Sequence, residues 1–258
     1  PGMTRGRPFD FSAAMRDLFA VLHRLEGSLV TVLVEGDSGV GKERVARALH
    51  DGSVVAKGPF VAVNCGAIAR ELVGSELFGH KRGAFSGAHE ARKGAFRSAH
   101  GGTLFLDEIG ELPLELQPAL LRAIELGEVR SLGEDTPTEV RVRVIAATNR
   151  DLEADVATSK FRRDLFYRLA VVRLRIPSLA ERREDIAPLA RRFASELGIE
   201  LSADVLSELG ARAWPGNVRE LRNALTALSA LGRLPEPPRT ETPELRELLS
   251  RLVDLGRA

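Results

Sequence analysis

A mostly apolar run at residues 29–35 passes directly into Gly36-Asp37-Ser38-Gly39-Val40-Gly41-Lys42-Glu43 and then into helical spacing over 42–50. Strand, G-x-x-x-x-G-K and helix in that order make up the phosphate loop, and few sequence features commit a chain so narrowly. Glycines let successive backbone N–H groups turn inward around phosphate oxygens. The helix amino terminus adds positive potential, and Lys42 supplies a point charge for the β and γ phosphates. A plain glycine-rich turn is the alternative, and the full spacing with both flanking elements weighs against it. Glu43 stands where a Ser or Thr hydroxyl would ligate Mg2+, so the metal has to lean on another group.

Residues 101–108, Gly-Gly-Thr-Leu-Phe-Leu-Asp-Glu, supply that group. An apolar strand ends there in two carboxylates that pleating points in different directions. Asp107 can hold magnesium through water, and Glu108 can polarise an attacking water. An isolated Asp-Glu pair at a strand end is ordinarily solvated turn; downstream of a phosphate loop it points to ATP hydrolysis. A further strand ends in Ala147-Thr148-Asn149-Arg150, at the carboxyl edge where open α/β sheets bind ligands. Asn149 is placed to sense the γ-phosphate or to cap the next helix. Asn64 closes the second strand in the same layer, either bonding Glu108 or making a structural bond.

Five short runs rich in Val, Ile, Leu and Phe read as strands, at residues 29–35, 59–65, 103–108, 142–148 and 171–176. Their near-continuous apolarity suits parallel strands covered on both faces. Helical patterns at 11–25, 42–50 and 116–126 alternate with them, so a doubly wound α/β domain is expected over residues 9–176. The strands then stop. Residues 183–197, 203–213 and 218–231 carry helical spacing, and a small all-helical domain is expected over 177–231. Residues 232–258 read as a Pro- and acid-rich linker followed by an amphipathic helix with leucines at 245, 248, 249, 252 and 255. Residues 1–8, with Pro-Gly ahead of a methionine, read as a cloning remnant or linker.

Three segments carry charge or exposed apolar groups in unusual settings. Residues 161–169, Phe-Arg-Arg-Asp-Leu-Phe-Tyr-Arg-Leu, place three arginines beside apolar residues. The planar guanidinium suits a transferring phosphoryl group. Spacing does not choose among the three, and salt bridges to the acid-rich 181–185 compete. In Trp214-Pro215-Gly216-Asn217-Val218-Arg219-Glu220-Leu221, Asn217 reads as a helix cap with Glu220 three residues on. Arg219 then opposes the helix dipole, which makes sense if it reaches nucleotide phosphates and equally fits an exposed arginine. Between the second and third strands lies a glycine-rich insertion containing Gly83-Ala84-Phe85-Ser86-Gly87-Ala88. No amphipathic pattern surrounds Phe85, so it is tucked back or offered to a partner. Lys81, Arg82, Arg92, Lys93 and Arg97 make the region basic and allow a nucleic-acid reading. His80, His89 and His100 have no common metal-ligand spacing.

Charge and cysteine content narrow the classes further. Thirty-seven basic against thirty-six acidic residues leave a net charge of +1, so no global field draws the chain to nucleic acid or membrane. The single Cys65 excludes an internal disulfide framework, and a reducing cytoplasm is the expected home. No apolar stretch approaches the roughly 18 residues needed to span a bilayer.

Together these residues resemble the AAA+ ATPase domain of bacterial sigma-54-dependent transcription activators, over roughly residues 11–231. The family's phosphate loop also ends Gly-Lys-Glu, and its hallmark Gly-Ala-Phe-Thr-Gly-Ala loop is matched by residues 83–88. The stretches at 101–108, 147–150 and 214–221 are similar as well. The resemblance implies an AAA+ core with a five-stranded parallel sheet and a helical lid, ATP and Mg2+ as cofactors, and a ring, usually of six subunits, that remodels sigma-54 RNA polymerase through the hallmark loop. It implies that Arg162 and Arg168 are arginine fingers acting on the neighbour's nucleotide and Arg219 a second sensor. It also makes Asn64 and Glu108 a switch coupling hydrolysis to the loop. Ser86 replaces the hallmark threonine, keeping the hydroxyl and losing a methyl. No helix-turn-helix follows Leu231, so specific DNA binding is not expected of these residues. Two alternatives stay open: a ring acting on a different protein target, and a DNA-remodelling motor.

Overall fold

The computed structural model describes residues 11–84 and 90–236. The expected runs become parallel strands β1 Val32–Glu35, β2 Phe60–Asn64 and β3 Thr103–Asp107, then β6 Arg143–Thr148 and β7 Val172–Arg175. Between β3 and β6 lies a small antiparallel pair, β4 Glu128–Val129 and β5 Thr138–Glu139, too short for a sequence signal. The sheet order is β2-β3-β6-β1-β7. Register pairs Asn64 with Asp107, Phe105 with Ile145, and Glu35 with Thr148. The strands carrying the phosphate loop, the Asp-Glu pair and Asn149 are therefore neighbours, and their carboxyl ends emerge side by side.

Side-chain alternation explains why both faces are covered. Leu33, Leu104, Leu106 and Ala146 face one core, while Val32, Val34, Phe105, Ile145 and Ala147 face the other. The second core is closed by α1 Ala13–Arg24, through Met15, Leu18 and Leu22, and by α2 Lys42–Asp51, through Val45, Ala46 and Leu49. The first is closed by α3 Arg70–Phe78, α4 Ala95–Ser98, α5 Gln117–Leu126, α6 Leu152–Ala157 and α7 Arg163–Leu169. Each fully buried Leu or Ile contributes about 1.5–3 kcal/mol, so a sheet apolar on both sides is stable only when sandwiched. Helix α3 escapes the periodicity because Gly74 and Ser75 are buried between Val73 and Leu77, leaving no one-sided stripe. Helices α6 and α7 are shorter than the window that periodicity needs.

Helices α8 Ile186–Leu197, α9 Ala203–Ala211 and α10 Asn217–Leu231 form a separate core around Ile186, Phe193, Leu209, Trp214 and Leu225. Leu179–Asp185 is a tight 3-10 run ahead of α8, interrupted where Arg182 leaves helical geometry at φ −136° and ψ 52°. That kink is why the helix expected from 183 starts at Ile186. The amphipathic helix expected at 244–255 and the segment 1–8 lie outside the described residues.

Candidate functional site

The phosphate loop leaves β1 and holds an unusual backbone, with φ of +80° at Gly39 and +109° at Gly41. Glycine is required at 39 on two counts: the left-handed φ, and a Cβ that would lie 2.3 Å from the Gly216 carbonyl oxygen. The loop's carbonyls are all accounted for. Lys42 Nζ donates to Gly36 O at 2.7 Å and Asp37 O at 3.1 Å. Asn217 Nδ2 donates to Ser38 O at 3.0 Å, the Arg219 N–H to Gly39 O at 3.3 Å, and Arg182 Nη2 to Val40 O at 3.1 Å. The N–H groups of Arg44 and Val45 close Gly41 O. With its carbonyls held this way, the loop can present N–H groups to an anion.

The loop forms one wall of an 860 Å³ cavity, large enough for a nucleotide. Lys42 is 8% exposed. Its burial lowers its pKa, opposed by the nearby Asp107, Glu108 and Asp37 carboxylates. Asp107 and Glu108 line the cavity with Asn64 and Asn149. Glu43 lines it too, and its carboxylate is taken by Arg47 at 2.8 and 3.1 Å. Apolar Phe11, Met15, Val40, Ile176 and Phe193 line it as well. An anion-binding wall with apolar groups in the same cavity suits a molecule with a phosphate chain and a flat base. Two carboxylates beside a phosphate site also suit Mg2+, a hard cation that takes few protein ligands and completes its shell with water and phosphate oxygens.

Several residues are placed differently from the sequence expectation. Asn217 does not cap α10. Its backbone is left-handed, at φ +55°, and its amide turns outward into a bridge. Oδ1 accepts from the Leu179 N–H at 2.7 Å while Nδ2 donates to Ser38 O. Glu220 reaches back one residue further than the expected arrangement has it, accepting from the Gly216 N–H at 2.7 Å. Arg219 reaches the loop itself, Nη1 lying 3.0 Å from Ser38 Oγ. Helix α6 is capped by Asp151, which accepts from Glu153 and Ala154 N–H groups, so Asn149 is left at the cavity edge. Among the described residues no hydrogen bond joins Asn64 to Glu108. Asn64 Oδ1 instead accepts from the Gly66 and Ala67 N–H groups, both at 2.9 Å.

Arg162 and Arg168 lie away from this cavity. Exposed Arg162 grips Asp164 through Nε at 3.1 Å and Nη2 at 2.7 Å, and Arg168 touches Ile124 O at 3.4 Å. The competing salt bridges to 181–185 are not formed: Glu181 pairs with Arg175, and Asp185 bonds Ser12. Gly83 and Ala84 stand at the foot of the insertion, where His80 and Arg92 exchange backbone bonds and Lys81 donates to Leu132 O. The Phe85, Ser86, Gly87 and Ala88 of the expected partner loop lie outside the described residues.

Sequence reasoning missed Arg182 and Asp185, which sit in a run of charges that reads as a solvated surface, and the bridging use of Asn217. No local signal marks them, since their partners are more than 35 residues away in the chain.

Residues 9–175 match the family model of the sigma-54 interaction domain, and 180–238 match that of an AAA+ ATPase lid domain. The DNA-binding transcriptional regulator NtrC of Escherichia coli (strain K12) is 50% identical over 225 residues, covering 84% of this chain and 48% of that protein. NtrC of Bradyrhizobium sp. (strain RP501 Parasponia) is 50% identical over 226 residues, covering 85% and 47%. The chain thus spans about half the length of the curated relatives it matches. A crystal structure of NtrX from Brucella abortus in complex with ATP is 38% identical with a TM-score of 0.79, covering 91% of this chain and 52% of that one.

The Asn217 bridge makes a direct stability prediction. Asn217→Ala leaves the buried Leu179 N–H unpaired, at an expected cost of about 1–3 kcal/mol, read by urea unfolding monitored at Trp214. An unchanged midpoint would show that the bridge carries no stability.

Proposed function

The chain belongs to the sigma-54 interaction domain family of AAA+ ATPases, and from that premise we propose that it hydrolyses ATP and spends the energy remodelling sigma-54 RNA polymerase. The observation that carries this reading is the juxtaposition of the phosphate loop, Asp107-Glu108 and Asn149 at three adjacent strand ends, around a cavity closed by Arg219 from the helical lid. The ATP complex of NtrX supports ATP as the nucleotide.

Residues 36–43 cradle the phosphate chain, and Lys42 leaves its loop carbonyls for the β and γ oxygens. Asp107 would hold Mg2+ through water; bound there, the ion neutralises phosphate charge. Glu108 orients a water for in-line attack on the γ-phosphorus and accepts its proton as the bond to the β–γ bridging oxygen breaks, leaving ADP and phosphate. Asn149 contacts the γ-phosphate and Arg219 reports its presence to the lid. Arg162 and Arg168, remote from their own cavity, act on the nucleotide of the next subunit in a ring. Asn64 changes partner between its own turn and Glu108 as the nucleotide changes.

Residues 83–88 would be the element that engages sigma-54. A regulator of the polymerase works where the polymerase is, which places the chain in the cytoplasm. The DNA-motor alternative rested on the basic insertion, and three of its cations are already paired: Lys81 and Arg97 with Glu134, and Arg92 with Glu76.

Lys42→Ala is expected to abolish tight ATP binding, whereas Glu108→Gln keeps binding and loses turnover, because only water activation is removed. Equal loss of binding in both would overturn these roles. Arg168→Ala should bind ATP and hydrolyse it about 10³-fold or more slowly, and specific activity of the parent should fall on dilution from ring to monomer; constant activity across that range would rule out a shared site. Phe85→Ala should retain hydrolysis yet lose co-migration with sigma-54 when the ring is trapped with ADP and a metal fluoride, since burying that ring is worth roughly 2 kcal/mol or more. A parent that hydrolyses ATP, forms rings and never captures sigma-54 points to a different protein target.

A further inference from the structure

We infer that Arg182 and Asp185 are positioning residues for the phosphate loop, joining it through one buried link to the amino end of α1. The inference rests on the ATP reading above and concerns two residues outside the phosphate-loop, Asp-Glu and arginine-finger motifs.

Arg182 is 5% exposed and Asp185 fully buried. Where the 3-10 run kinks, the Arg182 guanidinium spans two elements: Nη2 donates to Val40 O at 3.1 Å, and Nη1 lies 2.9 Å from Met15 Sδ in α1. Asp185 takes the cap at the same end of that helix. Its Oδ1 accepts from the Ser12 N–H at 2.6 Å and its Oδ2 from the Ser12 hydroxyl at 2.9 Å. Ser12 is the cap of α1, its Oγ accepting from the Met15 N–H. Because the hydroxyl proton goes to Asp185, the lone pairs of the same oxygen are free for the cap. Burial lowers the Arg182 pKa while Asp185 raises it, so the two opposite charges share one desolvated pocket, where charge-assisted bonds are strong and breaking one partner is costly.

The bond to Val40 bears on nucleotide binding through peptide geometry. Across a trans peptide the carbonyl and the following N–H point in opposite directions in one plane. Holding Val40 O therefore fixes the direction of the Gly41 N–H, at a glycine whose missing Cβ leaves its φ, here +109°, without a steric preference of its own. Arg182 sets the orientation of a phosphate-loop donor without touching phosphate, and Asp185, three residues on in the same 3-10 run, ties that run to Ser12. Ordering of the loop around phosphate should therefore be felt at Ser12.

The test measures ATP affinity by direct titration, turnover at saturating ATP, and amide exchange of the peptide containing Ser12 with and without ATP. Arg182→Lys keeps the charge but presents one ammonium where a fork spanned two partners, and ATP affinity should fall about tenfold, the scale of one charge-assisted bond. Ser12→Ala, at a side chain outside the cavity lining, should weaken affinity by a smaller factor of about three with saturated turnover little changed. In the parent, ATP should slow exchange at Ser12, and in Arg182→Lys that slowing should vanish. A purely structural role would lower the melting temperature without removing the ATP-dependent change. Parent-like affinity in both variants, or exchange at Ser12 indifferent to ATP in the parent, overturns the inference. If Arg182→Lys does not fold, Ser12→Ala decides. A parent that binds no ATP overturns the proposed ATPase reading first, and this inference with it.

Discussion

A loop that turns its backbone N–H groups toward one small volume has to be held from outside, because the geometry that serves an anion leaves no internal hydrogen bonds. Residues 36–41 meet that constraint by giving away their carbonyls. The lysine of the motif takes the first two, the lid takes the next three through Asn217, Arg219 and Arg182, and the first turn of α2 takes the last. The Gly36 N–H meanwhile donates to Thr148 O at the end of β6. The motif is thus completed by residues from remote parts of the chain, and the close approach of Gly216 to Gly39 is the steric counterpart of that dependence.

The same constraint explains what the amino-acid sequence reveals. The strands, the phosphate loop and the Asp-Glu pair are legible because their signals are contiguous: apolar runs, glycine spacing, and carboxylates at a strand end. Strand order is not written locally, yet the motifs would be useless in an order that separated β1, β3 and β6. Asn217 looked like a cap because Asn before a helix commonly is one. Its left-handed backbone, beside the equally left-handed Trp214, rotates the amide away from its own helix, and nothing in the local pattern announces this. Arg182 and Asp185 read as surface charge because their partners, Val40 and Ser12, lie far back in the chain. Helix α3 was hidden by its small buried residues.

Two arginines stand apart from the nucleotide cavity. Arg162 and Arg168 occupy a face with no access to the cavity of their own chain, Arg162 neutralised by Asp164 and Arg168 resting on α5. The cavity's own cations come from the loop and α2, through Lys42, Arg44 and Arg47, and from the lid, through Arg182, Arg192, Arg219 and Arg222.

The lid core around Phe193, Trp214 and Leu225 is smaller than either of the two cores flanking the sheet. Small cooperative units open at lower free energy than the bulk of a fold. Since three of the loop's carbonyls are tethered to that unit, a transient melting of 179–231 would release the loop while the sheet stayed intact. The nucleotide site therefore inherits the thermal limit of the lid, and warming would erase affinity for the ligand at a temperature where the strands still show full protection.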